Sequence, residues 1–206
     1  FLSITDGLVQ TRPIKGTRPR GENPEEDERN KNELINSEKD KSELLMIVDL
    51  ERNDLSKVCK PSSVKVTELF KLEEYETVFH LVATIEGELK ENVSSVKCIR
   101  ECFPGGSITG APKIATMAII KNVEKQARGV YCGAIGILLP NGPTIFNVAI
   151  RTLQMQGNNA IYGVGGGITW DSKWEAEYEE TRQKSAILYR QNPRFDLIST
   201  GRIHQG

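Results

Sequence analysis

Between residues 130 and 168, three runs rich in apolar and β-branched residues (roughly 130–139, 144–155 and 159–168) are separated only by PNGP and QGNN. Connections this short join antiparallel strands, because a parallel pair needs a crossover of about a dozen residues or more. The segment therefore predicts an antiparallel meander. Residues 1–14 predict a hairpin turning at Asp6 and Gly7, and YETVFHLVATIEGEL (75–89) alternates as a strand. Helices are predicted over about 32–48, from a glycine loop whose Pro112 suits a first turn to about Lys125, and over about 172–190. The charged stretch RPRGENPEEDERNKN (18–32) reads as an exposed loop. Strands grouped between helices, with no internal repeat, give an α+β class rather than a βαβ series.

With 206 residues the chain can bury one sizeable core or two small ones. A net charge of −1 gives no general attraction to nucleic acid or to an anionic membrane, and neither is an expected partner. No apolar run is long enough for a spanning helix, and no signal peptide is visible. Cys59, Cys98, Cys102 and Cys132 form no CxxC pair and have no histidine at metal spacing. A reduced, cytoplasmic setting with free thiols is the simplest expectation. The sequence enters at Phe1 as though inside a hairpin, so a piece of a longer protein is expected.

Two acidic stretches carry the chemistry. At about 100° per residue, Glu177, Glu180, Thr181 and Lys184 share a helix side with Ile187 and Leu188, while Glu175, Glu179 and Arg182 fall opposite. In DKSELLMIVDL, Asp40 and Glu43 share a side with Leu44, Ile47 and Leu50. Carboxylates on a core-facing stripe are costly unless paired or bound to a cation. Two readings stand. The residues are ordinary solvated charges, or acids from two helices hold a hard cation, for which an all-oxygen ligand set favours Mg²⁺.

The remaining candidates are also double-valued. The amides of Gly165, Gly166 and Gly167, just before a helix, suit a carboxylate or phosphate, or simply make a close turn. GGSITG adds the hydroxyls of Ser107 and Thr109 but lacks the lysine spacing of a P-loop, which disfavours a nucleotide site. Arg151 reads as mid-strand, either pairing bidentately with a carboxylate or pointing outward. His80 shares a face with Val78 and Val82 and reads as functional or as a satisfied core histidine. Tyr131 fits a core role. Lys15, between Ile14 and Gly16, is a solvated lysine or an amine nucleophile. The second role needs the neutral amine, which desolvation or nearby positive charge favours.

Together PIKGTRPRG, ELLMIVDLERNDLSKVC, SVKV, HLVATIEGEL, FPGGSITGAPK, RGVYCGAIG, AIRT, YGVGGGI and EAEYEET resemble, in family order over about residues 10–190, the chorismate-utilising enzymes. These are the anthranilate synthase and aminodeoxychorismate synthase components I and the isochorismate and salicylate synthases. Ser62 departs from the usual PGSVKV. Anthranilate synthases look like PIAGT where this chain has PIKGT. Lys15 therefore resembles the aminodeoxychorismate type, which aminates chorismate at C4 on the way to p-aminobenzoate and folate, with ammonia from a glutamine amidotransferase subunit. The runner-up is anthranilate synthase component I, and a rival of another class is a non-catalytic module.

The implied fold is the C-terminal part of the anthranilate synthase component I-like fold, over residues 1–190: two antiparallel β-sheets packed face to face, helices outside. The resemblance implies that Glu43 and Glu180 ligate Mg²⁺, with Asp40 and Glu177 in support. It implies that Tyr131, Arg151 and the amides of Gly165, Gly166 and Gly167 hold the enolpyruvyl carboxylate. Ser107, Thr109, His80 and Lys184 line the pocket around the ring and its carboxylate. Lys15 is the implied nucleophile, with His80 beside it as a catalytic candidate. The general acid is implied to be a glutamate in an SPE stretch upstream of the first hairpin, expected outside this chain. The tail 191–206, with RFDLISTGRIHQG, is expected to be a linker or the opening of a lyase-like domain.

Overall fold

A computed structural model of the chain describes residues 1–191, 196–197 and 203–204. It is built around one seven-stranded, wholly antiparallel sheet. β1 (Leu2–Thr5) and β2 (Leu8–Thr11) form the hairpin read from the sequence, with Asp6 and Gly7 at φ 49° and 79° in the turn. β3 (Ile14–Pro19) and β2 lie end to end along one edge of the long strand β5 (Val78–Glu88), and β4 (Lys65–Glu74) lines its other edge. Beyond β1 the sheet continues through β7 (Thr144–Val148) to β6 (Ala134–Leu138). β8 (Leu153–Gln156) and β9 (Asn159–Tyr162) form a separate antiparallel pair.

Helices α1 (Pro24–Ile35), α2 (Glu38–Val58), α3 (Ser95–Cys102), the single turn α4 (Gly106–Thr109), α5 (Lys113–Val123) and α6 (Trp174–Gln191) complete the fold. α2 is the central one. Its Leu44, Val48, Leu55 and Val58 recur at helical spacing and pack on Phe79, Leu81, Ala83 and Ile85 of β5. The fold is therefore α+β, as read from the sequence.

Three readings of local structure need correction. Residues 18–32 are not a loop: Asn23 caps α1 by accepting from the Glu26 amide at 2.9 Å, Pro24 opens the helix, and Glu25, Glu26 and Asp27 fill its first turn. The single helix over 32–48 is two helices, broken at Asn36 and restarted by Ser37, whose Oγ accepts from the Asp40 amide at 3.2 Å. The meander divides: β6 and β7 join the large sheet while β8 and β9 stand apart, and Arg151 sits in the break at φ 52° rather than mid-strand. A residue in the left-handed region ends strand pairing and turns the chain. β4 and α3 are additional elements. The expectation for the tail falls on residues that lie, apart from Gln191 and the paired segments 196–197 and 203–204, outside the described residues.

Candidate active site

Lys15 stands at the sheet–helix boundary. Its Nζ is 3.5 Å from Glu43 Oε2 on α2, and both side chains are mostly shielded. The Lys39 ammonium lies 4.0 Å from the other oxygen of Glu43. Asp40 is partly buried beside them, and its carboxylate is taken up by Arg18 at 3.2 Å. The inward side predicted for Asp40 and Glu43 is the observed one: Leu44 and Ile47 on that side are buried.

The glycine run reaches this group from the other direction. A Cβ on Gly167 would lie 3.5 Å from Lys15 Nζ. A Cβ on Gly166 would press on Glu177 Oε2 at 2.9 Å and lie 3.9 Å from Glu180 Oε1, and one on Gly165 would meet the Tyr131 hydroxyl at 2.9 Å. At Gly165 and Gly166 a side chain would push the Tyr131 hydroxyl and the Glu177 carboxylate from their places, while at Gly167 it would make ordinary contact with Lys15. Close approach of side-chain ends thus bears on Gly165 and Gly166.

α6 presents its acids as half predicted. Glu177 is partly buried and accepts from Ser172 Oγ at 2.7 Å, and the Ser172 oxygen itself accepts from the Thr169 amide at 3.0 Å. Glu175 and Glu179 are exposed, as expected, but so is Glu180. Its carboxylate pairs with Lys184 one turn on, beside the glycine run, and Lys184 Nζ also donates to Gly165 O at 3.0 Å. Arg151 reaches α6 from the β7–β8 break and donates to Lys184 O at 3.4 Å.

Tyr131 lines an open cleft of about 500 Å³ together with Thr109, Phe103, Met117, Arg128 and Cys132. Burial pushes the Tyr131 phenol well above its ordinary range, so it stays a hydrogen-bond donor at any physiological pH. Thr109 Oγ1 donates to Gly105 O at 3.1 Å, which leaves its lone pairs toward the cleft free to accept; Ser107 belongs to the same turn. Arg128, held bidentately by Glu124 at 2.8 and 2.6 Å and donating to Ile108 O at 3.2 Å, ties the cleft wall to that turn. Sequence reading missed Arg128, Arg18 and Ser172. Arg18 and Arg128 belong to the quoted blocks PIKGTRPRG and RGVYCGAIG, so only their partners were hidden.

The structure thus joins Lys15, Glu43, Gly165, Gly166, Gly167, Glu177, Glu180, Lys184, Arg151 and Tyr131 through successive contacts, with Thr109 on the wall of the cleft that Tyr131 lines; Ser107 shares the turn of Thr109 but is not among the residues lining the cleft. The structure does not join His80 to them. Leu81 and Phe79 face α2, so His80 between them faces away. There its Nδ1 lies 2.9 Å from Thr17 Oγ1 and its ring meets Tyr75 edge-on at 5.5 Å. Among the described residues, no three of His, Cys, Asp and Glu stand close enough to share one ion. Glu43 and Glu180 are each neutralised by a lysine. The donor set is nonetheless all carboxylate oxygen, which fits Mg²⁺: that ion takes one or two protein carboxylates and completes its shell with water and substrate.

Comparison with known proteins bears on the family and the fold. The chorismate binding enzyme family matches residues 1–190. Aminodeoxychorismate synthase component 1 of Salmonella typhimurium is 47% identical over 184 residues, 89% of this chain and 40% of that protein. Anthranilate synthase component 1 of Saccharolobus solfataricus is 46% identical over 188 residues, 91% of this chain and 45% of that protein. The crystal structure of anthranilate synthase component I from Streptococcus pneumoniae TIGR4 superimposes with a TM-score of 0.79 at 36% identity, covering 89% of this chain and 40% of that one. The fold is shared with part of the solved anthranilate synthase component I, and the chain spans about two fifths of the length of the curated relatives it matches.

Proposed function

This chain belongs to the chorismate binding enzyme family, and on that basis we propose that it is part of an aminodeoxychorismate synthase component I acting in the cytoplasm. The enzyme replaces the C4 hydroxyl of chorismate with an amino group, using ammonia from a glutamine amidotransferase subunit. Relatives of both synthase types are about equally similar to the chain, so the choice between them rests on one observation. Lys15 holds its amine beside Glu43 and the Gly167 backbone, where the alanine of the PIAGT pattern would present no nucleophile.

Chorismate is a dianion, and the site supplies charge and donors for both ends. Arg151, the Tyr131 hydroxyl and the amides of Gly165, Gly166 and Gly167 receive the enolpyruvyl carboxylate. Glu43 and Glu180 would hold Mg²⁺, with Glu177 in support, and the ion when bound supplies positive charge to the ring carboxylate. Lys184 rides on Glu180 and Gly165 and borders the same carboxylate. Ser107 and Thr109 line the ring. His80 lies on the other face of β5, and its catalytic assignment is carried by the resemblance alone.

Lys15, as the neutral amine, attacks ring C2. The C2–N bond forms, both ring double bonds shift by one position (C1=C2 to C1=C6 and C5=C6 to C4=C5), and the C4–O bond breaks. The hydroxyl leaves as water, taking its proton from an acid that the resemblance places upstream of Phe1. Ammonia then forms the C4–N bond while the C2–N bond breaks, which returns the lysine amine and gives 4-amino-4-deoxychorismate. A covalent amine divides one hard displacement into two easier ones. A protein of the relatives' length that contains this chain, given chorismate, ammonia and Mg²⁺, is expected to yield aminodeoxychorismate without pyruvate. Anthranilate with equimolar pyruvate as the main products would instead establish the anthranilate synthase reading, which the similarity to that type keeps as the alternative.

A further inference from the structure

The pairing of β3 with β5 is irregular at the one point where chemistry is proposed. Ile14 pairs with Val82 and Thr17 with His80, so three steps along β3 match two along β5. Both Ile14 and Thr17 therefore face the side of Val82 and His80, away from α2. The extra residue is accommodated at Gly16, at φ 82°, and it puts Lys15 and Gly16 together on the α2 side. Had the ladder run regularly back from Thr17, Lys15 would oppose Val82 on the far face, unable to meet Glu43.

The bulge is held from outside the strand. A Cβ on Gly16 would lie 2.7 Å from Leu34 Cδ1 and 2.9 Å from Asp40 Cγ, so α1 and α2 both press on its bare α-carbon. Arg18 closes the arrangement: Nη2 meets Asp40 Oδ2 at 3.2 Å, Nε meets Glu33 Oε1 at 2.7 Å, and Nη1 donates to Thr17 O at 3.0 Å. One guanidinium thus pins the bulged strand to two helices.

We infer that Gly16, Arg18 and Asp40 form a clamp that aims the Lys15 amine, and that Asp40 is a positioning residue rather than a support of the metal site. The inference rests on the reading of Lys15 as nucleophile. Glu43 meets the Lys15 amine itself, whereas the Asp40 carboxylate is engaged by Arg18, three residues further along the same strand, and acts on the amine through Arg18 and the Gly16 backbone.

The test uses the full-length parent enzyme and the isosteric Asp40→Asn variant, with Arg18→Met, Arg18→Lys and Gly16→Ala beside it. Three quantities are read: kcat and KM for chorismate, the Mg²⁺ concentration for half-maximal chorismate binding, and the yield of a covalent adduct on Lys15 with chorismate and Mg²⁺ but no ammonia. Misaiming by about 1 Å costs up to about a hundredfold. Asp40→Asn and Arg18→Met are therefore expected to lower kcat and adduct yield together by at least about tenfold, with KM and the Mg²⁺ requirement changed less than about twofold, and Arg18→Lys to recover part of the loss. If Gly16→Ala does not fold, Asp40→Asn decides. A raised Mg²⁺ requirement in Asp40→Asn with unchanged adduct chemistry would overturn the clamp, and so would wild-type adduct yield in all the variants. Failure of the underlying reading looks different: the wild-type enzyme itself forms no adduct on Lys15 while turning over.

Discussion

Thr11 has a single hydroxyl proton and two close oxygen neighbours: Phe1 O at 2.6 Å and Glu51 Oε2 at 2.7 Å. It can donate to only one of them, so the other contact is short only if Glu51 donates. Glu51 is then protonated, which agrees with burial pushing its carboxyl up to about 7. The sign follows: the folded state binds this proton more tightly than the unfolded chain, whose carboxyl titrates near 4.5. Stability from this group is full below that value and is lost as pH rises toward about 7. Urea midpoints across that range should fall more steeply with pH for the wild type than for Glu51→Gln, and parallel slopes would contradict the protonated carboxyl. At the same scale, Lys15→Ala in the parent enzyme should lose at least about a hundredfold in kcat, the order expected when a nucleophile is removed. Full activity in that variant would remove Lys15 from the chemistry.

Among the elements, α2 is tied to the start of α5 by a buried ion pair: Asp54, almost wholly buried, is paired with Lys113, and Lys57 adds a bond at 2.9 Å. Lys113 also donates to Cys102 O at 3.3 Å, so the pair fixes the segment carrying Ser107 and Thr109. Lys113→Met leaves Asp54 with only its outer partner and should destabilise the fold by about 3 kcal/mol, as broken buried pairs do, measured by urea unfolding; a loss below about 0.5 kcal/mol, the scale of surface changes, would contradict it. The legibility of elements followed how local their signals are. The first hairpin, β5 and α6 were legible because turn residues and apolar periodicity lie within the segment. α1 was missed because Asn23 and Pro24, a cap and a first helical residue, also punctuate loops. β4 was passed over because Lys65, Glu68, Lys71 and Glu73 interrupt its apolar residues. Of the site, the acidic pair on α2 was legible from spacing. The bulge at Gly16 and the left-handed Arg151 were not, because both conformations are imposed by distant strands and helices.

For the whole molecule, the chain exposes apolar residues that a self-sufficient domain would cover: Ile135, Ile137 and Ile145 on β6 and β7, Ile114 and Val123 on α5, and Trp170, 97% exposed. It also spans about two fifths of its curated relatives. The 206-residue chain alone is therefore expected to bind an apolar-surface dye, to self-associate in sedimentation and to bind chorismate weakly without turnover. A monodisperse monomer that turns over chorismate would contradict that expectation. The central claim is that Lys15 bonds covalently to the substrate, and intact mass of the full-length enzyme tests it most directly. Incubated with chorismate and Mg²⁺ but no ammonia, the protein should gain the mass of chorismate less one water, mapping to the peptide that contains Lys15. An unmodified Lys15 in enzyme that aminates chorismate once ammonia is added would contradict the account.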